Sequence, residues 1–135
     1  MNEDVKLAYE AIVAKQQQHS DAFAYYDGNQ PLVYANERLR EIFKGQQIRF
    51  IENWCQVVVD AVKERIQLGD VQVPDEAVET MRRIWDSNQI GLIGDDVHEA
   101  ALITGEAYII VWTDPENGEV ELYYNDPRLC HAFYY

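Results

Sequence analysis

The sequence predicts an α+β fold, in which a mostly helical N-terminal part packs on a small antiparallel sheet. Apolar residues recur at helical spacing as far as Thr104. From Ala107 the chain becomes a continuous apolar run followed by an alternating segment, which is typical of a buried strand with a half-buried partner. Gly105 lies between the two patterns, where a helix C-terminus commonly needs a left-handed residue. We therefore expect a helix that leads directly into the central strand of the sheet.

Size and composition suit one folded domain. The chain has 135 residues, of which 47% are hydrophobic. Within the domain we expect an N-terminal helical arm at residues 1–50, further helices at 51–105 and β-strands at 106–135. No apolar run reaches the roughly 18 residues that a membrane helix needs. The acidic N-terminus lacks the pattern of a signal peptide, so we expect synthesis in a cytoplasm and no membrane association.

The charge is strongly acidic and unevenly placed. The formal net charge is −13, with 7 acidic and 6 basic side chains in residues 1–50 and 17 acidic and 5 basic side chains in residues 51–135. Such a chain is repelled by phosphate backbones, so tight general binding of nucleic acid is disfavoured. A solvated acidic surface accounts for the charge without a partner.

The first helix is expected from Asp4 to Tyr25, because apolar residues repeat at helical spacing near its start. The polar run from Gln16 to His19 is expected to be exposed. The turn residues from Asp27 to Pro31 end this helix. Residues 32–34 are expected to be extended, and Asn36 is expected to cap a short helix that closes at Gly45.

A second long helix is expected to end at Leu68-Gly69. Its apolar stripe is wide enough to require burial, while the charged residues Asp60 and Lys63 to Arg65 fall on the other side. The stripe contains Ile51, Trp54, Cys55, Val58, Val59, Ala61, Val62 and Ile66. We expect Cys55 and Cys130 to be small buried hydrophobic residues, because free cysteine is usually buried. Two cysteines without further ligands make no zinc site.

Residues 71–73 alternate and predict a short strand. Pro74 then begins a helix whose first turn is acidic and whose inner face carries Val78, Met81, Ile84 and Trp85. This helix ends at Asn88 to Gly91, and the next helix follows almost at once, so we expect the two to form a helical hairpin.

Three strands are expected in the C-terminal part. The apolar run Ala107–Thr113 is followed by Asn117-Gly118, a strong hairpin signal, and by an alternating strand. The turn at Asp126 to Arg128 precedes a third expected strand from Leu129 to Tyr135. Because this strand is aromatic and has no polar tail, we expect the chain to be the front part of a longer polypeptide.

Candidate catalytic residues do not form a convincing set. Asp95, Asp96, His98 and Glu99 could gather on one helix turn around a cation, but an acidic helix start accounts for them. Asp60 and Glu64, four positions apart, are compatible with an acid/base pair or with a solvated face, and the sequence leaves both open.

Other signals of chemistry are also weak. Gly91 to Gly94 lacks the pattern of a phosphate loop, and the only serines, Ser20 and Ser87, are not in a nucleophile motif. Trp54, Trp85 and Trp112 are expected in the core rather than on a base-stacking surface. We therefore expect no catalytic, cofactor-binding or metal-binding residues, no cofactor and no enzymatic activity.

Five short segments follow one another in a pattern that covers almost the whole chain. The segments are Tyr25-Tyr26-Asp27-Gly28 with Pro31-Leu32; Asn53-Trp54-Cys55 with Val58-Val59-Asp60-Ala61 and Glu64-Arg65; Trp85 with Asn88; Glu99-Ala100-Ala101-Leu102-Ile103-Thr104-Gly105-Glu106-Ala107-Tyr108; and Asp126-Pro127-Arg128. In these segments and their order the chain resembles the N-terminal part of bacteriophage portal proteins of the long-tailed-phage type, the head–tail connectors.

The resemblance implies a structural role. Portals form a ring, typically a dodecamer, at one capsid vertex, through which DNA is packaged and ejected without sequence-specific binding. The ring contacts the capsid or scaffold and the terminase motor, and it resides in the virion after synthesis in the bacterial host cytoplasm. Portals are several times longer than this chain, so the resemblance places it in the peripheral wing and assigns no tunnel-lining residue here.

Two other function classes remain as alternatives. One is a free-standing acidic α+β interaction module of phage or prophage origin, which would be a monomer or a small oligomer without catalytic activity. The other is a small hydrolase or metal enzyme built around Asp95, Asp96, His98 and Glu99. Metal affinity that survives substitution of these side chains would exclude the second.

Overall fold

The computed structural model describes residues 3–29, 53–69 and 71–133. It confirms the predicted α+β class, with 58% of the described residues in helices and a small antiparallel sheet. The predictions for residues 32–45, and for Ile51, Tyr134 and Tyr135, fall outside the described residues. The described elements are α1 (Glu3–Tyr26), α2 (Trp54–Lys63), a 3-10 turn (Asp75–Ala77), α3 (Val78–Ser87), α4 (Ile90–Thr104), β1 (Tyr108–Thr113) and β2 (Val120–Asn125).

Helices α1, α2 and α4 pack against one another and form the centre of the described structure. Ala100 of α4 is the one hydrophobic residue buried there, with 1% of its surface exposed. Gly94, also on α4, lies against Leu68, and a Cβ atom at Gly94 would come within 2.6 Å of Leu68 Cδ1. Small residues thus allow the helices to approach, but they bury little apolar area.

Helix α1 confirms the prediction for residues 4–25 almost to the residue. The prediction that Gln16 to His19 is exposed is wrong for His19, which is 4% exposed. Ile12, Lys15, His19 and Phe23 follow one another at helical spacing, so the buried stripe of α1 continues through two polar residues.

Helix α2 differs most from its prediction. It ends at Lys63, about one turn before the expected end, and its apolar stripe faces away from the other helices. Trp54 and Val58 are 65% and 64% exposed, and Cys55 is exposed as well. Asp60 and Lys63, expected on the solvent side, are instead half-buried. Polar contacts with α1 and α4 therefore decide the orientation of this helix.

Two predictions around α3 are wrong and one is confirmed. Residues 71–73 form no strand, although Pro74 does precede the 3-10 turn that begins α3. Helices α3 and α4 are joined by only Asn88 and Gln89, yet they do not pack along each other as a hairpin. Gln89 has a left-handed backbone, with φ of 50°, which redirects the chain between the two helices.

The switch from helix to strand is confirmed. Gly105 ends α4 in the left-handed conformation, with φ of 84°, and its N–H donates to the Ala101 carbonyl. Strands β1 and β2 pair antiparallel from Tyr108 opposite Asn125 to Thr113 opposite Val120. The Asn-Gly signal lies in the loop, but the closing bond joins the Asp114 N–H to the Glu119 carbonyl at 2.9 Å.

The predicted burial of β1 and the predicted third strand are both wrong. Every residue of β1 after Tyr108 is exposed, and Trp112, expected in the core, is 58% exposed. Residues 129–133 are not a strand. The buried Pro127 and the bond from the Leu129 N–H to the Asp126 carbonyl instead hold a turn after β2.

Candidate functional site

A cluster of four polar side chains joins α1, α2 and α4. The Tyr26 hydroxyl lies 2.9 Å from Asp60 Oδ1 and 3.1 Å from Glu99 Oε2. The Lys63 ammonium group donates to the same Glu99 oxygen at 2.5 Å. We call Tyr26, Asp60, Lys63 and Glu99 the tyrosine cluster. Asn53 fixes its edge, because its side chain caps α2 and donates to the Tyr26 carbonyl at 2.6 Å.

The pKa values of Tyr26 and Lys63 in the tyrosine cluster are raised above their ordinary values. Burial raises the pKa of Tyr26, and the hydrogen bonds to Asp60 and Glu99 raise it further. The hydrogen bond to Glu99 raises the pKa of Lys63 despite its partial burial. Tyr26 is therefore a neutral donor and Lys63 a cation near neutral pH. Both groups are engaged by carboxylates, so the arrangement suits the joining of helices better than proton transfer.

A second cluster joins α1 to the start of β1 and to the turn after β2. Glu106 accepts from Lys15 at 2.8 and 3.0 Å and from the Tyr108 hydroxyl at 3.1 Å. His19 Nε2 lies 3.2 Å from Glu106 Oε1, and His19 Nδ1 lies 3.3 Å from the Pro127 carbonyl. We call Lys15, His19, Glu106 and Tyr108 the glutamate cluster. Burial raises the pKa of Glu106, but the bonds from Lys15 and Tyr108 outweigh it and leave that pKa below its usual value.

An ion pair holds the turn after β2, and a ring contact joins this turn to α1. The Arg128 side chain holds Asp126, with Nε 2.9 Å from Oδ1. This bond lowers the pKa of Asp126 and raises that of Arg128. The guanidinium carbon of Arg128 lies 4.4 Å from the centre of the Phe23 ring, within the range of a cation–π contact.

Asn88, between α3 and α4, holds the outer edge of β2. Its side-chain amide donates to the Val120 carbonyl, and its oxygen accepts from the Leu122 N–H, both at 2.8 Å. Asn88 therefore acts as a short substitute for a neighbouring strand. The sequence pattern predicts only a helix end at Asn88, because one asparagine gives no sign of its distant partners.

The structure separates the residues considered for metal binding. Asp95 and Asp96 are exposed, whereas Glu99 is taken up by Lys63 and Tyr26. Across residues 3–29, 53–69 and 71–133, no three His, Cys, Asp or Glu side chains are arranged to hold a metal ion. Asp60 and Glu64 are not a pair either, because Asp60 bonds to Tyr26 while Glu64 is exposed.

The remaining residues considered for chemistry are dispersed. His98 and His131 are half-buried, and Cys130 is half-buried with a pKa that burial raises. Trp85 is partly covered and lines an open groove of about 780 Å³ between residues 71–73 and α3. Its other side chains include Met81, Arg82 and Asp86. The groove brings together no nucleophile and base.

Apolar side chains instead dominate two exposed surfaces. The first is the outer face of α2, and the second is the hairpin of β1 and β2 with the segment that follows. Their exposed members are Trp54, Val57, Val58 and Val62 on α2, and Ile109, Ile110, Val111, Trp112, Tyr123, Leu129 and Phe133 on the hairpin side. No helix of the described ranges is long and apolar enough to cross a membrane.

Comparisons with known proteins found no match: no family model, no curated protein and no solved structure is similar to the chain. Inferences about function therefore depend on the residues and their geometry.

Proposed function

We propose that this chain is a structural subunit of a phage portal ring at the capsid vertex, through which DNA is packaged and ejected. The proposal begins from the five segments that resemble portal proteins. The observation that carries it is the uncovered apolar face of α2, where Trp54 and Val58 are each more than 60% exposed. Contiguous exposed apolar surface on a folded chain marks a site of association with another molecule.

The internal contacts of the described structure support association. Polar clusters hold α1, α2 and α4 together, while the side chains that would form a hydrophobic core point outward. Such a subunit gains apolar burial when it packs against neighbours. In a ring each subunit contacts two neighbours, and the α2 face supplies an apolar surface for one of these contacts.

The charge suits the same role. A net charge of −13 weakens attachment to DNA, so the duplex can pass a ring of such subunits without sequence-specific binding. In this proposal the subunit hydrolyses nothing. In this proposal the assembled ring contacts the capsid or scaffold and the terminase motor, and it resides in the virion.

Native mass spectrometry and size-exclusion chromatography of the chain test the proposal. We expect masses that are multiples of 15.7 kDa and that increase with protein concentration. The substitution Val58→Lys should shift the distribution to the monomer, because a lysine in the centre of the α2 face cannot be buried without a partner.

The control is Gln16→Lys, which adds a lysine on the exposed polar face of α1. It should leave the distribution unchanged. A wild-type chain that stays monomeric at every concentration would contradict the ring proposal. That result would favour the free-standing acidic interaction module.

A further inference from the structure

The two edges of the β1–β2 sheet are not equivalent. At the β2 edge, Asn88 binds the Val120 carbonyl and the Leu122 N–H, so these backbone groups point away from β1. Across the ladder, Leu122 lies opposite Val111 and Val120 lies opposite Thr113. Backbone groups of opposed residues in such pairs point outward together. The outward groups of β1 therefore belong to Ile109, Val111 and Thr113.

No strand within residues 3–29, 53–69 and 71–133 pairs with this edge, because the sheet has two strands. Both faces of β1 also carry exposed apolar side chains. Ile109 and Val111 on one face are 43% and 64% exposed, and Ile110 and Trp112 on the other are 44% and 58% exposed. A strand that is apolar on both faces is typical of the interior of a sheet, not of its edge.

The charges around the hairpin indicate what covers this edge. Residues 106–126 contain six acidic side chains and no lysine or arginine. Lys15 neutralises Glu106 and Arg128 neutralises Asp126, both at the end of the hairpin away from the loop. The loop end keeps Asp114, Glu116, Glu119 and Glu121. Among the described residues the one basic side chain paired with them is Arg83, at 3.6 Å from Glu119.

We propose that the open edge of β1 binds an extended segment of another polypeptide by strand addition. The segment is about six residues long, to match β1, and is apolar in its centre. It carries lysine or arginine at the end that lies beside the loop between β1 and β2. A second copy of the hairpin is disfavoured, because its loop would add further acidic side chains while residues 106–126 contain no lysine or arginine to pair with them. Strand addition does not depend on ring formation, since a monomer presents the same edge.

The probe is the synthetic peptide Lys-Lys-Val-Thr-Val-Thr-Val-Thr, with Glu-Glu in place of Lys-Lys as its charge control. Amide exchange measured by NMR should slow at least tenfold at Ile109, Val111 and Thr113 when the lysine peptide is added, and not at Ile110. The glutamate peptide should bind at least tenfold more weakly. N-methylation of alternate peptide residues should abolish binding, because it removes the backbone donors.

Two variants of the chain separate the edge from the charge. Val111→Pro removes an outward N–H without removing a bond to β2, so it should abolish binding while circular dichroism stays unchanged. Its control, Val111→Thr, keeps the N–H and should bind as the wild type does. Glu116→Lys should weaken binding of the lysine peptide several-fold and reduce its salt dependence.

Three results would overturn the proposal. The first is absence of peptide binding by a chain whose circular dichroism shows it folded. The second is binding without protection of Ile109, Val111 and Thr113. The third is protection of these amides that rises with protein concentration alone, because a second copy would then occupy the edge. Self-association through α2, as tested with Val58→Lys, leaves this edge unprotected, so the two proposals fail separately.

Discussion

Removal of the Glu106 carboxylate by Glu106→Ala tests whether polar contacts hold this fold together. The substitution removes the acceptor of Lys15, His19 and Tyr108. A buried polar group left without a partner costs about 1–3 kcal/mol, which applies to His19, whose side chain is 5% exposed. The lost bond from Tyr108 to a charged acceptor adds about 1.5 kcal/mol. Lys15 is 42% exposed and turns into solvent at little cost, below about 1 kcal/mol.

We therefore expect Glu106→Ala to lower the free energy of unfolding by about 3 kcal/mol. The assay is urea unfolding followed by far-UV circular dichroism at one protein concentration, since association changes apparent stability. The control is Glu10→Ala, which breaks a surface pair with Lys6 and should cost below about 0.5 kcal/mol. Equal losses for the two variants would refute the claim that the glutamate cluster stabilises the fold.

Three further predictions follow from the same structure. Asn88→Ala should lower stability by about 2 kcal/mol and accelerate exchange of the Leu122 amide, because the outer edge of β2 loses both bonds; unchanged exchange would contradict the role of Asn88. Gly105→Ala should lower the stability of the fold by about 1 kcal/mol, and Gln89→Gly should raise it by up to about 1 kcal/mol, because both positions have a positive φ. Thermal unfolding measures both effects, and a change of the opposite sign would contradict this reasoning. The pKa of Glu106 in the folded chain lies below the ordinary glutamate value of about 4.3. The ionised Glu106 carboxylate therefore stabilises the fold above a pH of about 4.3, and this stability is lost as the pH falls through the lower, folded-state pKa. The urea midpoint should therefore fall on acidification, and less steeply in Glu106→Gln; parallel curves would contradict the linkage.

Local signals in the sequence predicted the backbone well. Gly105 ends α4 because the turn from this helix into the strand needs a left-handed residue, and a single glycine is enough to provide it. Pro74 precedes the start of α3 for a similarly local reason. Such features depend only on residues that are close together along the chain, so they can be predicted from the sequence.

The orientation of elements was not predicted, because it depends on distant partners. The apolar stripe of α2 was identified but assigned to the wrong side, since Asp60 and Lys63 bond to Tyr26 and Glu99. A wide apolar face indicates that something covers it, and it does not say whether the cover is the same chain or another. The apolar run of β1 likewise indicates that something covers this strand, but it does not say whether the cover is the same chain or another.

The glutamate cluster could have been found in part. His19 continues the helical spacing of the apolar residues of α1, so its position on the buried stripe was readable from the sequence. Its partner Glu106 was not readable, because Lys15 and Glu106 are 91 positions apart. The predicted turn at Asp126 to Arg128 is confirmed, but the bond from the Leu129 N–H to the Asp126 carbonyl extends this turn to the residue where the third strand was expected to begin.

The ring proposal is tested most directly by electron microscopy of the protein encoded by the complete reading frame that contains these residues. The account predicts closed rings with a central tunnel wide enough for duplex DNA, with the residues of this chain at the periphery and the α2 face against a neighbouring subunit. Particles that remain single subunits, or closed assemblies without a tunnel, would contradict it.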